Sequence, residues 1–585
     1  MNTSAEPLSA PLPPMPIAPA VRSPRLKVPA AERLAHLGLV LVTALLLIGL
    51  GGPLAALLSQ AFAQGSKAGA LAHFGAYLGS PALLSSLWNS LWVALLVTAI
   101  VLPLAFGFAY GLTRSCMPAK GLLRSISLLP LLAPSLLSAI SLIYWFGNQG
   151  VAKGFWNALG FDSIYGASGL VLAECFAVFP HTLMILVTAL SMADARLYES
   201  ADALGTSWLR KFLTITLPGA KYGLISAALV TFTLVITDFG VPKVVGGDFN
   251  VLATDVFKLV IGQQDFRRGA VVALLLLMPA VFSFAVDQLL LRRRQNAMQS
   301  ATLTARAVAL SPKPARGFDL LMLAYCSLIA ALMLAMFLMA VYASFVTLWP
   351  YNLSLSLNHY ASGIIDAELG DAVINSLKLA AGSALVGPVI VFLGAYLLEK
   401  TRGLDALRPL LRLLASLPMA VPGLVLGLGY IFFFNAPANP LHFLYQSGAL
   451  LVLCTIVHFY TTGHLTMVTA LKAIDAEFEA VSASLKVPFY KTLWRVTLPI
   501  CLPALIDVSR YFFVNAMTTI SAVVFLYSPD TKLSSVAILN LDEAGEIGPA
   551  TAMAVLIVGV SSAVNCLYLL LGRWAQRRTQ AWRLR

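Results

Sequence analysis

The sequence predicts an all-α polytopic membrane protein with about 12 transmembrane helices, arranged as two parallel-repeat halves of six helices each. Three observations predict it. Of the 585 residues, 59% are hydrophobic and only 11% charged, and mean hydropathy is +0.83, whereas a soluble domain carries roughly a quarter charged residues. The apolar residues fall into stretches of about 20, the length a spanning helix needs. Short motifs also recur at a nearly constant separation, which marks a duplicated unit.

Residues 1–33 are rich in Pro, Ala and Ser and carry Arg22, Arg25, Lys27 and Arg33. That composition is too polar and too Pro-broken to pack a core, so a disordered cytoplasmic tail is expected there. A secretory signal peptide is the competing reading. The apolar run from Leu37 to Leu58 is longer than a signal h-region and lacks a convincing small-residue cleavage site, so an uncleaved first span is expected instead.

The first half, 34–291, holds spans near 34–62, 86–113, 122–147, 166–191, 222–245 and 270–291. A cytoplasmic linker follows at 292–317, opening with Arg292-Arg293-Arg294 and containing Ser311-Pro312-Lys313-Pro314, a basic, Pro-bearing composition that punctuates structure. The second half, 318–573, holds spans near 318–346, 372–399, 408–435, 447–472, 500–526 and 548–573, and a basic cytoplasmic tail closes the chain at 574–585.

The halves repeat in order. Asn89-Ser90-Leu91 returns as Asn375-Ser376-Leu377, and Leu129-Pro130 with Pro134 as Leu417-Pro418 with Pro422. Val187-Thr188-Ala189-Leu190 returns as Val468-Thr469-Ala470-Leu471, and Thr216-Leu217-Pro218 as Thr497-Leu498-Pro499. An even number of spans per half puts both in the same orientation, unlike the inverted repeats of many secondary transporters.

Lys and Arg set the orientation. With both termini, the linker and the even-to-odd loops inside, about 30 of the basic residues are cytoplasmic and about 7 are outside, the bias that fixes topology. The outer loop 347–371 has no Lys or Arg but has Asp366, Glu368 and Asp371. The net charge of +13 is thereby accounted for by topology, and nucleic acid is not an expected partner. The six cysteines, Cys116, Cys175, Cys326, Cys454, Cys501 and Cys566, show no CxxC or CxxH spacing, so neither a disulfide framework nor a metal site is expected.

The loop between the fourth and fifth spans is long and amphipathic. It runs Tyr198-Glu199-Ser200-Ala201-Asp202-Ala203-Leu204-Gly205, then Trp208-Leu209-Arg210-Lys211, then Ile215-Thr216-Leu217-Pro218. Two short helices with a turn at Gly205 are expected, since Gly permits the reversal and Pro218 suits the start of the fifth span. Here Glu199, Ala201, Gly205, Ile215, Leu217 and Pro218 resemble the EAA signature of binding-protein-dependent ABC importer permeases; only Ser200 departs from the Glu-Ala-Ala triplet. A degenerate second copy stands in the matching loop of the other half: Glu479, Ala480, Lys486, Val496, Leu498 and Pro499. There Ala480 takes the place of Glu, Glu479 comes one position early, and Lys486 replaces the Gly, which implies a weaker or different contact.

The resemblance implies a bacterial inner-membrane permease with both termini cytoplasmic. Its partners would be a cytosolic ABC ATPase, expected as a homodimer holding both loops, and a periplasmic substrate-binding protein. ATP would be used by the ATPase alone. No GxxxxGK[ST] phosphate loop is found in this chain, so it is expected to be a transport subunit that is not an enzyme and binds no cofactor.

Ionisable residues inside spans are functional candidates because burying them in hydrocarbon is costly. Asp238, followed by Phe239-Gly240-Val241-Pro242-Lys243, leads for the substrate pathway, since Gly240 and Pro242 break the helix where backbone can line a cavity. Asp238 and Lys243 could also pair with each other, or Lys243 could snorkel to the outer interface. Asp507 and Arg510 stand at i and i+3 and read as a structural ion pair. The Pro130/Pro134 and Pro418/Pro422 pairs are expected to kink the third and ninth spans.

A twelve-span secondary transporter is the competing class, but the loops 113–121 and 399–408 lack its Gly-x-x-x-Asp-Arg-x-Gly-Arg pattern. A membrane-embedded enzyme would need an HExxH or GxSxG motif, and neither is found. For substrate, the segment from Thr237 through Asp255 and Gly262-Gln263-Gln264 resembles fused permeases of the ferric iron, thiamine and 2-aminoethylphosphonate group. It is most similar to those for 2-aminoethylphosphonate, with ferric iron or thiamine as the alternative.

Overall fold

The computed structural model describes residues 30–62, 75, 79–301, 310–365, 367–401, 403–475, 477–485 and 487–579. Most of the expected tail 1–33, linker residues 302–309, Asp366, Lys486 and residues 580–585 lie outside these. Regular structure among the described residues is helical except for one antiparallel hairpin, β1 (Val346–Leu348) and β2 (Asn352–Leu355). Helices dominate because backbone polar groups in hydrocarbon must be satisfied within the segment.

In the first half the helices that build the frame are α1 (Glu32–Ala61), α2 (Pro81–Arg114), α3 (Lys120–Ser127), α4 (Ser135–Phe146), α5 (Ala167–Ser191), α6 (Ala195–Ala203), α7 (Trp208–Thr237), α8 (Gly240–Val245), α9 (Leu252–Phe257) and α10 (Phe266–Ala301), with a short helix Lys153–Ala158 between α4 and α5. The second half follows the same plan. It comprises α11 (Arg316–Phe345), α12 (Ala367–Lys400), α13 (Leu407–Ser416), α14 (Gly423–Phe434), α15 (Gly448–His458), α16 (Tyr460–Lys472), α17 (Glu477–Ser484), α18 (Phe489–Thr518), α19 (Ser534–Glu543) and α20 (Ile547–Thr579), with a short helix Asn358–Ile365 before α12.

Among the described residues nine helices are long and apolar enough to cross a membrane, and up to eleven crossings result if each of two bent pairs counts as one. The expected twelfth, 122–147, is not one helix. It is α3, a 3-10 turn at Leu129–Leu132, and α4. The 12 residues of α4 give a length of about 18 Å, against the ~30 Å of a hydrocarbon core. Its counterpart in the second half bends by 117° between Leu407–Ala420 and Gly423–Phe434. The expected kinks are therefore full breaks: Pro130 and Pro134, like Pro418 and Pro422, each lack an N–H and crowd the preceding turn. The fifth and eleventh spans also differ from expectation. They begin earlier, at Trp208 and Phe489, and end at Thr237 and Thr518.

The first helix of each half packs on the other half. α1 lies against α12, α13 and α14, burying Leu39, Leu46, Leu50 and Leu57 on one face, while α11 lies against α3 and α4. The Tyr325 hydroxyl of α11 donates to the Leu104 carbonyl of α2 at 2.9 Å. The hairpin tip continues this exchange on the same side: the Trp349 indole donates to the Gln149 carbonyl at 3.0 Å, and its ring meets that of Tyr144 edge-on. Within each half the second, fourth and fifth crossings pack on one another: α2 with α5 and α7, and α12 with α16 and α18.

Candidate functional site

The amphipathic loop of the first half is a helical knob at the foot of α7. Asp194 caps α6 by accepting from the Arg196 N–H. Ala201 is buried, whereas Glu199 and Leu204 are exposed, Leu204 at 83%. Gly205 adopts φ +65°, a conformation that costs an L side chain about 1–2 kcal/mol. The chain then reverses, and the Thr206 N–H donates to the Ala201 carbonyl at 2.9 Å. Lys211 of α7 reaches back to Asp202 at 2.5 Å and holds that carboxyl below the usual Asp range. Leu204, Trp208 and Leu209 form an apolar crest.

Ile215, Leu217 and Pro218 are not in the knob but in α7 itself. There Phe212–Thr216 is a π turn, closed by the Leu217 N–H donating to the Phe212 carbonyl. Pro218 has no N–H to give and would crowd the turn before it, and the wider turn accommodates this. The second half repeats the device: Leu493–Thr497 is a π turn closed by the Leu498 N–H on the Leu493 carbonyl, directly before Pro499.

The second knob has the same frame with different fastenings. The Val487 N–H donates to the Ser482 carbonyl at 2.9 Å, the reach seen between Thr206 and Ala201. Leu485, like Leu204, is exposed, at 70%. The Asp202–Lys211 tie is replaced by a hydroxyl pair, Ser482 with Thr492. Glu479 forms an ion pair with Lys400 at 2.8 Å, Ala480 is exposed and Val496, Leu498 and Pro499 are half-buried in α18. In the first half Tyr198 stands where Glu479 does, counted back from the Pro. Its ring lies 5.4 Å from the Arg114 guanidinium, and its hydroxyl pairs with Thr216 at 2.9 Å.

At the opposite end of α7 the chain leaves the helix at Asp238, with φ −69° and ψ 139°, and Thr519 ends α18 with φ −68° and ψ 139°. Asp238 Oδ2 accepts from the Val241 N–H at 2.9 Å, capping α8. A Cβ at Gly240 would come within 2.4 Å of Ser135 Oγ, so only glycine lets α8 approach the start of α4. The Asn-Ser repeat fastens the next element. The Leu252 N–H donates to Ser90 Oγ at 2.8 Å and Asn89 donates to the Asn250 carbonyl at 3.0 Å. Likewise the Ser534 N–H donates to Ser376 Oγ at 2.8 Å and Asn375 to the Asp530 carbonyl at 2.9 Å.

Lys243 does not pair with Asp238. It reaches across to Glu543 of the second half at 2.7 Å and lies over the Phe257 ring, which itself stacks on Phe525 of the second half. Beside it, burial and the adjoining Glu543 push the Asp542 carboxyl up to about 6. Asp507 and Arg510 do approach, at 3.6 Å, and Arg510 also donates to Asn565 at 2.9 Å. Sequence reasoning passed over Glu174, buried in α5 with Asp238 facing it. An acid in an apolar run is a signal for such a residue.

The family described as "binding-protein-dependent transport system inner membrane component" matches residues 99–296 and again 390–577. The ferric transport system permease protein FbpB of Actinobacillus pleuropneumoniae is 28% identical over 448 residues, covering 75% of this chain and 64% of that protein. A putative ferric transport system permease protein of Haemophilus influenzae is 27% identical over 421 residues, covering 70% and 64%. The probable ABC transporter permease protein y4fN of Sinorhizobium fredii is 24% identical over 447 residues, covering 72% and 76%. The match thus spans less than two thirds of the length of the two ferric relatives.

Proposed function

We propose, from the premise that this chain belongs to the family of binding-protein-dependent transport system inner membrane components, that it is the permease subunit of an ATP-driven importer of ferric iron. The observation that carries the transport reading is the pair of knobs, built on the same turn and the same π turn, one in each region that the family matches. Each carries an exposed leucine, Leu204 or Leu485. Two cytosolic ATPase subunits would grip these knobs, with Glu199 in one contact, shaped from within by the buried Ala201 and the turn at Gly205, and Ala480 and Lys486 in the other. Ile215, Leu217, Pro218, Val496, Leu498 and Pro499 would transmit the movement into α7 and α18. A periplasmic binding protein would deliver the cargo to the other face, and both termini would be cytoplasmic.

Ferric iron is favoured over 2-aminoethylphosphonate on two grounds. Two of the relatives carry ferric transport in their names. A zwitterion such as 2-aminoethylphosphonate carries both signs, and Lys243, the cation five positions from Asp238, is engaged with Glu543. The segment around Asp238 still resembles aminophosphonate permeases, so the test must separate the two. In a strain with no other route for either solute, deleting the gene should abolish uptake of radiolabelled ferric iron and leave growth on 2-aminoethylphosphonate intact. The reverse result transfers the substrate to the aminophosphonate and keeps the permease reading. A loss of neither overturns the importer reading for these solutes.

A further inference from the structure

Glu174 stands in α5 at 1% exposure, and neither of its carboxylate oxygens meets a donor; the group within hydrogen-bond reach is another carboxyl, that of Asp238. It lines a small cavity with Ser90, Leu170, Val235, Pro242 and Val251. The Asp238 carboxyl faces it from the end of α7, and the Ser135 hydroxyl of α4 lies at Asp238. Among the described residues no Lys, Arg or His forms an ion pair with either carboxyl, and Lys243, five positions beyond Asp238, is spent on Glu543. Cys175 is the remaining titratable group near Glu174 on its own helix.

A fully buried carboxylate faced by a second, half-buried one is repelled by it and forgoes hydration, so the two do not both stay charged without a compensating positive charge. Among the described residues none is paired with them. We infer that the Glu174 carboxyl, where it lines this cavity and is faced by Asp238, binds one small, singly charged cation, either a proton shared by the two carboxyls or a sodium-sized ion. The oxygens at hand are all hard: the Glu174 carboxyl and Ser90 hydroxyl line the cavity, the Asp238 carboxyl faces Glu174, and the Ser135 hydroxyl lies at Asp238. Such a set suits these cations and does not select soft metals. The site belongs to the first half alone, because Thr519 takes the place of Asp238 on the same backbone in the second half. It is therefore not a requirement of the shared frame.

Its position gives it a consequence. Asp238 both ends α7 and caps α8, and α8 carries Lys243 to its contact with the other half. The site thus sits at the root of the segment that carries the cross-half contact.

The test uses the full chain in lipid nanodiscs. Infrared spectra at neutral pH report the carbonyl stretch of a protonated carboxylic acid, and thermal unfolding is compared in sodium chloride and in choline chloride at equal ionic strength. A shared proton gives the acid band in the wild type, lost in Glu174→Gln and in Asp238→Asn. A metal cation gives a sodium-dependent rise in Tm, lost in the same variants. If the wild type shows neither, or if the acid band survives both substitutions with no sodium response, the inference is overturned. Should Glu174→Gln fail to assemble, the wild-type spectra and Asp238→Asn still decide the matter.

Discussion

Lys400 Nζ lies 2.8 Å from Glu479 Oε1, joining the end of α12 to the knob of the second half. Arg114 at the end of α2 stands over the Tyr198 ring at the same place in the first half. The duplicated frame thus keeps a cation at the helix end and changes what it grips. Glu479 is an internal fastening, in line with its position one residue before the place of Glu199.

Glu479→Gln should therefore act on stability before it acts on a partner. The Lys400 side chain is only 10% exposed, so removing its partner should cost about 1–2 kcal/mol, at the upper end for a part-exposed pair. Glu199→Gln, on an exposed position, should leave unfolding unchanged. Thermal unfolding of the purified chain checks both, and the charge-swapped double variant Lys400→Glu/Glu479→Lys should recover most of the loss. Equal effects of the two Gln variants would contradict the assignment.

Gly205 gives a prediction about conformation alone. A Cβ there would meet nothing within 4 Å, so any penalty comes from φ +65° and not from crowding. Asn tolerates this region, and a β-branched residue does not. Gly205→Asn should keep transport coupled to ATP hydrolysis, Gly205→Val should uncouple it, and Lys486→Gly should be tolerated. ATPase and uptake assays on reconstituted transporter decide. Normal coupling in the Val variant would remove this knob from the coupling role.

Orientation is open to chemical labelling. Tyr351 at the hairpin tip and Leu204 on the first knob are 77% and 83% exposed and are expected on opposite sides of the membrane by the Lys/Arg bias. Single cysteines at each, in a background freed of the six native ones, should be labelled by an impermeant thiol reagent on intact cells only at Tyr351. Labelling at Leu204 alone would invert the topology.

What the sequence made legible was local. The spans follow from composition, and the knobs from motifs whose hydrogen bonds close within a few residues, as between Thr206 and Ala201. Pro130 and Pro418 marked where helices are disturbed. A missing N–H does not say whether a helix kinks or stops, because neighbours decide that. The Asn-Ser repeat was visible as a repeat, but its role depends on Leu252 and Ser534, brought near only by folding. The polar contacts around Asp238 were hidden for the same reason: Glu174 faces it from another helix, and Lys243 finds Glu543 in the other half.

The last prediction concerns that cross-half contact. Lys243 is 2.7 Å from Glu543, which leaves its neighbour Asp542 partly buried beside a like charge, and the Asp542 carboxyl is pushed from 3.8 up to about 6. A folded-state value above the unfolded one means that the folded state holds the proton longer. Stability is then greatest at the acid end and falls as pH rises from about 4 to about 6, levelling off above that. The size of the fall should be about 1–2 kcal/mol, the full shift being discounted for partial exposure. Asp542→Asn should flatten this part of the pH profile of thermal unfolding. Glu543→Gln should free Lys243 for Asp542, lower its pKa and move the fall to more acid pH. An unchanged profile in both variants would show that the Asp542 carboxyl does not titrate against this contact.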